Sequence, residues 1–209
     1  NPAMLEDYQI MVFPGGFSYG DDVAAGKILA NQTVHHLRDI LHQFIEDGKL
    51  VLGICNGFQV MIKTGIVPGL NGAGNLSLTA QQVTLTDNDS GKFEDRWVYL
   101  QPGTDRCVFI EPGKRLYLPG AHGEGKIVAD NEQTLRRIRE NGHAAFRYVD
   151  AEGQPGGFPV NPNGSQDDIA ALTDTTGRAM GMMPHPERCV RWTQHPHWTR
   201  LQPQPTAQG

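Results

Sequence analysis

The sequence predicts an α/β fold built on a mostly parallel sheet. Three observations point there. Gln9–Phe13 and Leu50–Ile54 are continuous apolar runs, as strands covered on both faces require. A helical apolar spacing fills the interval between them, and a second helical stretch follows the second run. Each run also ends in a glycine-bearing segment where a strand would meet a loop or helix.

The elements follow in order. Gln9–Phe13 (QIMVF) leads into Pro14-Gly15-Gly16. Val23 to Asp47 reads as a helix, with Val34, Leu37, Leu41 and Phe44 forming one stripe and Gly48 just past the end. Leu50–Ile54 is the next strand. A helix carrying Phe58, Val60, Met61 and Ile62 follows and stops before Pro68. After Pro68 the texture becomes β-rich. Strands are expected at Gln82–Thr86, Trp97–Gln101, Arg115–Leu118, Lys126–Val128 and Ala144–Val149, with one helix near Glu132–Glu140. Ile169–Thr173 and Ala179–Met183 flank Asp174-Thr-Thr-Gly177 and read as a hairpin. Residues 1–200 form a single domain. The polar segment 201–209, with two prolines in it, reads as a frayed or disordered tail.

Composition narrows the function classes. The chain has 209 residues, 38% hydrophobic and 20% charged, which suits a globular domain able to bury a core. Net charge is −5, from 18 basic and 23 acidic side chains. That balance argues against nucleic acid as the main partner, because phosphate binding needs clustered cations. No apolar run approaches the ~18 residues that span a bilayer, and no basic-then-apolar leader opens the chain. Cys55, Cys107 and Cys189 are too few for a disulfide framework, so a reducing cytoplasm is expected.

One of these thiols stands in a reactive position. Gly53-Ile54-Cys55-Asn56-Gly57 joins a buried strand to a helix, the pattern of a nucleophile elbow. The helix N-terminus favours thiolate over thiol, and the Asn56 N–H points to where an oxyanion would form. Taken alone, the pattern also fits a small buried core cysteine. Pro14-Gly15-Gly16-Phe17 ends the other apolar strand and offers outward-turned amides for the second half of an oxyanion hole. His185, in Met183-Pro184-His185-Pro186-Glu187-Arg188, supplies a base that titrates near neutrality, with Glu187 two residues on to orient it. His35, His36 and His42 lie among polar residues on a predicted helix. His195 and His197 have no evident partner. No Cys-x-x-Cys or His-Glu-x-x-His spacing suggests a metal.

Together these segments resemble class I glutamine amidotransferases. The likeness narrows with Pro14-Gly-Gly-Phe-Ser-Tyr-Gly-Asp-Asp22, Leu52-Gly-Ile-Cys-Asn-Gly-Phe-Gln59, Asn88-Asp-Ser-Gly-Lys-Phe93, Ala121-His-Gly-Glu-Gly125 and Met183-Pro-His-Pro-Glu-Arg188. These resemble the glutaminase subunits of phosphoribosylformylglycinamidine synthase, from about Tyr8 to about Arg188. The resemblance implies a flavodoxin-like, doubly wound sheet. It implies Cys55 as nucleophile, His185 as base and acid, Glu187 as its orienting carboxylate, and Gly16 and Asn56 as oxyanion-hole residues. Gly15, Phe17, Gln59, Arg96, His122 and Gly123 are the implied substrate-binding residues, Arg96 standing equally as a surface ion pair. No cofactor is implied in this chain. ATP and Mg belong to a large synthetase partner, which turns formylglycinamide ribonucleotide into the amidine with ammonia taken from L-glutamine. A small accessory subunit completes the implied complex.

In one respect the chain departs from that family. There, a strand, a helix and a second strand precede the Tyr8–Phe13 segment, so the N-terminal strands are missing from this numbering. The expectation is instability in isolation or completion by residues outside it, tested by melting beside a form extended upstream. Two other readings stand beside the glutaminase: a free-standing Cys hydrolase of γ-glutamyl amides, and a non-catalytic docking module.

Overall fold

The computed structural model describes residues 2–21, 24, 26–79 and 81–201. The two apolar runs are β1 (Ile10–Phe13) and β2 (Leu50–Ile54), paired in parallel from Ile10 against Leu50 to Phe13 against Gly53. Helix α1 (Lys27–Glu46) connects them, and α2 (Asn56–Thr64) follows β2. The stripe on α1 buries Ala30, Val34, Leu41, Phe44 and Ile45. Its end is closed by Asp47 N–H and Gly48 N–H, donating to Gln43 and Ile45 carbonyls. The helix begins later than Val23, which lies outside the described residues together with Asp22. Ser18–Asp21 forms a separate 3-10 turn, and Gly26 at φ 72 stands immediately before Lys27. A left-handed residue has no place inside a right-handed helix, so the start is set there.

The later elements are β3 (Val83–Asp87), β4 (Glu94–Pro102), β5 (Leu116–His122), β6 (Glu124–Ala129), α3 (Glu132–Glu140), β7 (Ala144–Val149), β8 (Ile169–Thr173) and β9 (Ala179–Met182). Seven strands form one sheet in the order β1-β2-β9-β8-β7-β4-β5, while β3 and β6 form a separate ribbon. The sheet is mixed. It is parallel at β1–β2 and β2–β9 and antiparallel from β9 outward to β5. Between β8 and β9 the hairpin turn is held by Asp174, whose Oδ1 accepts the N–H groups of Arg178 and Ala179 at 3.0 and 3.1 Å. Among the described residues β1 is an edge strand, with Ile10 and Val12 half exposed.

Strand β5 runs on through Pro119 and Gly120 to His122, rather than ending at Leu118. Proline normally interrupts a strand, but β5 is the other edge of the sheet. Pro119 turns its carbonyl away from β4 to accept His185 N–H at 2.7 Å, so its missing N–H faces the same unpaired side. Likewise β6 extends from Glu124 to Ala129 where only Lys126–Val128 was expected. The segment after Arg188 lies on the β4–β5 face. His195 does find partners there, in the rings of Tyr117 at 5.4 Å, Trp97 at 5.6 Å and Trp192 at 6.3 Å. Of the expected tail, Leu201 is exposed and residues 202–209 lie outside the described ones. No helix among the described residues is long and apolar enough to cross a membrane.

Candidate active site

The far edge of the sheet, β5, comes back to the elbow that follows β2. Cys55, after β2, reaches Ala121 of β5, with Sγ donating to the carbonyl at 3.7 Å. His185, after β9, is tied to Pro119 of the same strand. Cys55 itself has φ 49 and ψ −107, a conformation that costs a non-glycine residue roughly 1–3 kcal/mol. Its N–H donates to Met182 O at 2.8 Å, and its carbonyl accepts Gln59 N–H at 3.0 Å to open α2. The flanking glycines are steric necessities. A Cβ at Gly57 would lie 1.9 Å from Phe13 O, and one at Gly53 would lie 2.3 Å from Met61 Sδ.

The Pro14–Phe17 loop packs against this elbow. Gly16 has φ 123, open to glycine alone at little cost. A Cβ at Gly15 would stand 3.0 Å from His185 Cε1 and 3.6 Å from Cys55 Cβ, so thiol and imidazole converge on space that glycine leaves. His185 Nδ1 and Glu187 Oε1 are 2.6 Å apart. A carboxylate only accepts, so Nδ1 carries the proton. In the neutral ring Nε2 is then the acceptor, and it is buried without a hydrogen-bond partner among the described residues. The Glu187 side chain remains 53% exposed.

A cavity of about 380 Å³ opens over these groups. Of the residues expected there, Cys55, His185, Gly16, Phe17, Gln59, His122 and Gly123 line it. Asn56, Gly15 and Glu187 are not among the lining residues, Glu187 touching the cavity only through His185. Arg96 is not part of the lining. It binds Glu94 at 2.8 Å and stacks 4.5 Å over the Phe158 ring. The Ser90 hydroxyl and Arg96 hold the Glu94 carboxyl below its ordinary range. Sequence reasoning missed Asp87, Phe93, Ala121, Glu124 and Arg188, which complete the lining. All five sit in or beside the segments that carry the family resemblance, which was the available signal.

Hydrogen bonds stiffen the wall. Ser18 Oγ donates to Asn56 Oδ1 at 2.6 Å, Asn56 Nδ2 to Gln59 Oε1 at 3.0 Å, and Gln59 Nε2 to Glu124 O at 2.7 Å. His122 is buried, and burial above all, with the nearby His185 charge, pushes its pKa down to about 4. Asn88 donates through Nδ2 to the carbonyls of Lys92 and His122, so Oδ1 is its acceptor. His122 Nδ1, 3.1 Å from that oxygen, is therefore the protonated nitrogen of a neutral ring. No group of side chains among the described residues is placed to hold a metal.

Comparison with known proteins gives the class first. Residues 1–208 match the family model described as a CobB/CobQ-like glutamine amidotransferase domain. The phosphoribosylformylglycinamidine synthase subunit PurQ of Dehalococcoides mccartyi is 46% identical over 199 residues, covering 94% of this chain and 74% of that protein. The PurQ subunit of Methanococcus maripaludis strain S2 is 42% identical, covering 93% and 70%. The solved structure of PurLQS from Thermotoga maritima aligns with a TM-score of 0.66 at 30% identity, over 91% of this chain and 74% of that one. The chain belongs to the PurQ family of glutamine amidotransferases.

Proposed function

We propose that this chain is the glutaminase subunit of a phosphoribosylformylglycinamidine synthase, acting in purine biosynthesis. The observation that carries the reading is one cavity holding Cys55 and His185, with Glu187 behind the imidazole, in a chain of this family. His185 Nε2 takes the Cys55 proton as sulfur attacks the side-chain amide carbon of L-glutamine. The tetrahedral oxyanion lies against the N–H groups of Gly16 and Asn56. Collapse breaks the C–N bond as His185 returns the proton, releasing ammonia and leaving a glutamyl thioester. Water, deprotonated by His185, cleaves the thioester to glutamate and frees the thiol. The balance is glutamine plus water to glutamate plus ammonia. Glu187 keeps the ring in the tautomer that both steps need.

Ammonia passes to a large synthetase subunit, which holds ATP and Mg, and a small accessory subunit completes the assembly. The relative found in PurLQS supports such a complex. Phe17 and Phe93 at the cavity, 71% and 54% exposed, give it an apolar seat. The complex works in the cytoplasm.

Replacing Cys55 by Ser in the reconstituted complex tests the reading. Glutamine-dependent product should fall at least about a thousandfold, while synthesis from added ammonium chloride persists. Unchanged glutamine-dependent synthesis would leave only a docking role. Full ammonia release by the chain alone would favour a free-standing hydrolase. A glutamine-like electrophile should label Cys55 and spare Cys189 and Cys107. Cys107 is buried, and burial raises its thiol pKa.

A further inference from the structure

Three charged side chains at the cavity make no ion pair or side-chain hydrogen bond among the described residues: Asp87, Glu124 and Arg188. Their neighbours behave differently. Lys126 is taken by Asp89, and Arg96 by Glu94. Asp87 and Glu124 are also registered opposite one another across the β3–β6 ribbon. Like charges in that relation are destabilising unless a cation relieves them. Neither carboxylate forms an ion pair among the described residues, and His122, which lines the same cavity, stays neutral near pH 7. The Arg188 backbone is tied to the catalytic segment, since its N–H donates to the His185 carbonyl at 3.2 Å, and its side chain lines the cavity. Its planar fork suits a carboxylate.

An α-amino acid whose side-chain amide lies at Cys55 trails a carboxylate and an ammonium behind it. We infer that Arg188 binds the α-carboxylate of L-glutamine and that the Asp87–Glu124 pair binds its α-ammonium, so that this rim selects the amino acid. The inference rests on the glutaminase reading. It places the substrate-binding cation at Arg188, since Arg96 lies outside the cavity lining and pairs with Glu94.

Ammonia release by the chain in its synthetase complex tests it with three amides. These are L-glutamine, 4-aminobutanamide (no carboxylate) and glutaramate (no α-amine). The wild type should prefer L-glutamine over both. Arg188→Gln should raise KM for L-glutamine about tenfold or more, with a smaller change in kcat. It should cancel the preference over 4-aminobutanamide and keep the preference over glutaramate, with Arg188→Lys recovering part of the loss. Asp87→Asn combined with Glu124→Gln should give the mirror result. Equal losses on L-glutamine and 4-aminobutanamide in Arg188→Gln, or a fall in kcat with KM unmoved, would overturn the assignment. So would a wild type that uses 4-aminobutanamide as well as L-glutamine, a result that needs no variant to fold. Ammonia release surviving Cys55→Ser would instead sink the glutaminase reading, whatever Arg188 does.

Discussion

Cys55 holds a strained backbone because nothing larger than hydrogen fits on either side of the elbow. Gly57 touches Phe13 of β1, and Gly53 touches Met61 of α2. Gly57→Ala should therefore cost about 3 kcal/mol, lowering Tm by roughly 6–12 °C. A melting temperature within a degree of wild type would show that β1 yields more easily than its contact suggests. Glu187 is the exposed member of the proposed triad, and its contact with Nδ1 decides which nitrogen of His185 carries the proton. Glu187→Gln should lower kcat at least about tenfold with little change in KM, read by steady-state ammonia release. The elbow and the His–Glu pair are legible in the sequence, since Gly-x-Cys-x-Gly and Pro-His-Pro-Glu each lie in adjacent residues. For Arg96 the sequence leaves pocket and ion pair equally open, because Glu94, two residues away on the same strand, gives no distinctive spacing; the ion pair is what forms.

At the scale of elements, the ribbon that walls the cavity is held by side chains rather than by another strand. Ser165 Oγ accepts Ile127 N–H at 3.0 Å, and Gln166 Oε1 accepts Ala129 N–H at 2.7 Å. Asn163, fully buried, donates to Gly125 O at 2.8 Å and accepts both N–H and O–H of Ser165. Asn163→Ala should cost about 2 kcal/mol in a denaturant melt, because it orphans buried groups on β6 and in the loop. A cost under about 0.5 kcal/mol would mean the ribbon is held elsewhere. Helix α3 forms where the sequence suggests a helix, near Glu132–Glu140, and its start is held by Asn131 Oδ1, which accepts Thr134 N–H. Strand β5 was read short because Pro119-Gly120 signals a break, and only an edge position lets it continue.

For the whole molecule, acid is the condition that opposes the fold. His122 titrates near 6.5 in the unfolded chain and near 4 in the folded one. Above pH 6.5 both states are neutral there, and the full stability is present. As pH falls from 6.5 toward 4, the unfolded chain takes up a proton that the folded cavity refuses, and stability drops by at most about 3 kcal/mol. Burial pushes His143 the same way, adding to the loss. Melts at pH 7 and pH 5 should show a smaller acid decrement in His122→Gln than in wild type. Equal decrements would place the proton uptake elsewhere. By itself the sequence determined the α/β class, the elbow and the His–Glu pair, because each depends on residues close together in the chain. Tertiary structure decided that Lys126 pairs with Asp89 and Arg139 with Asp167, which charges stay unpaired at the cavity, and that β5 comes round to the elbow after β2. Those outcomes depend on distances between residues far apart in sequence, which local pattern does not encode.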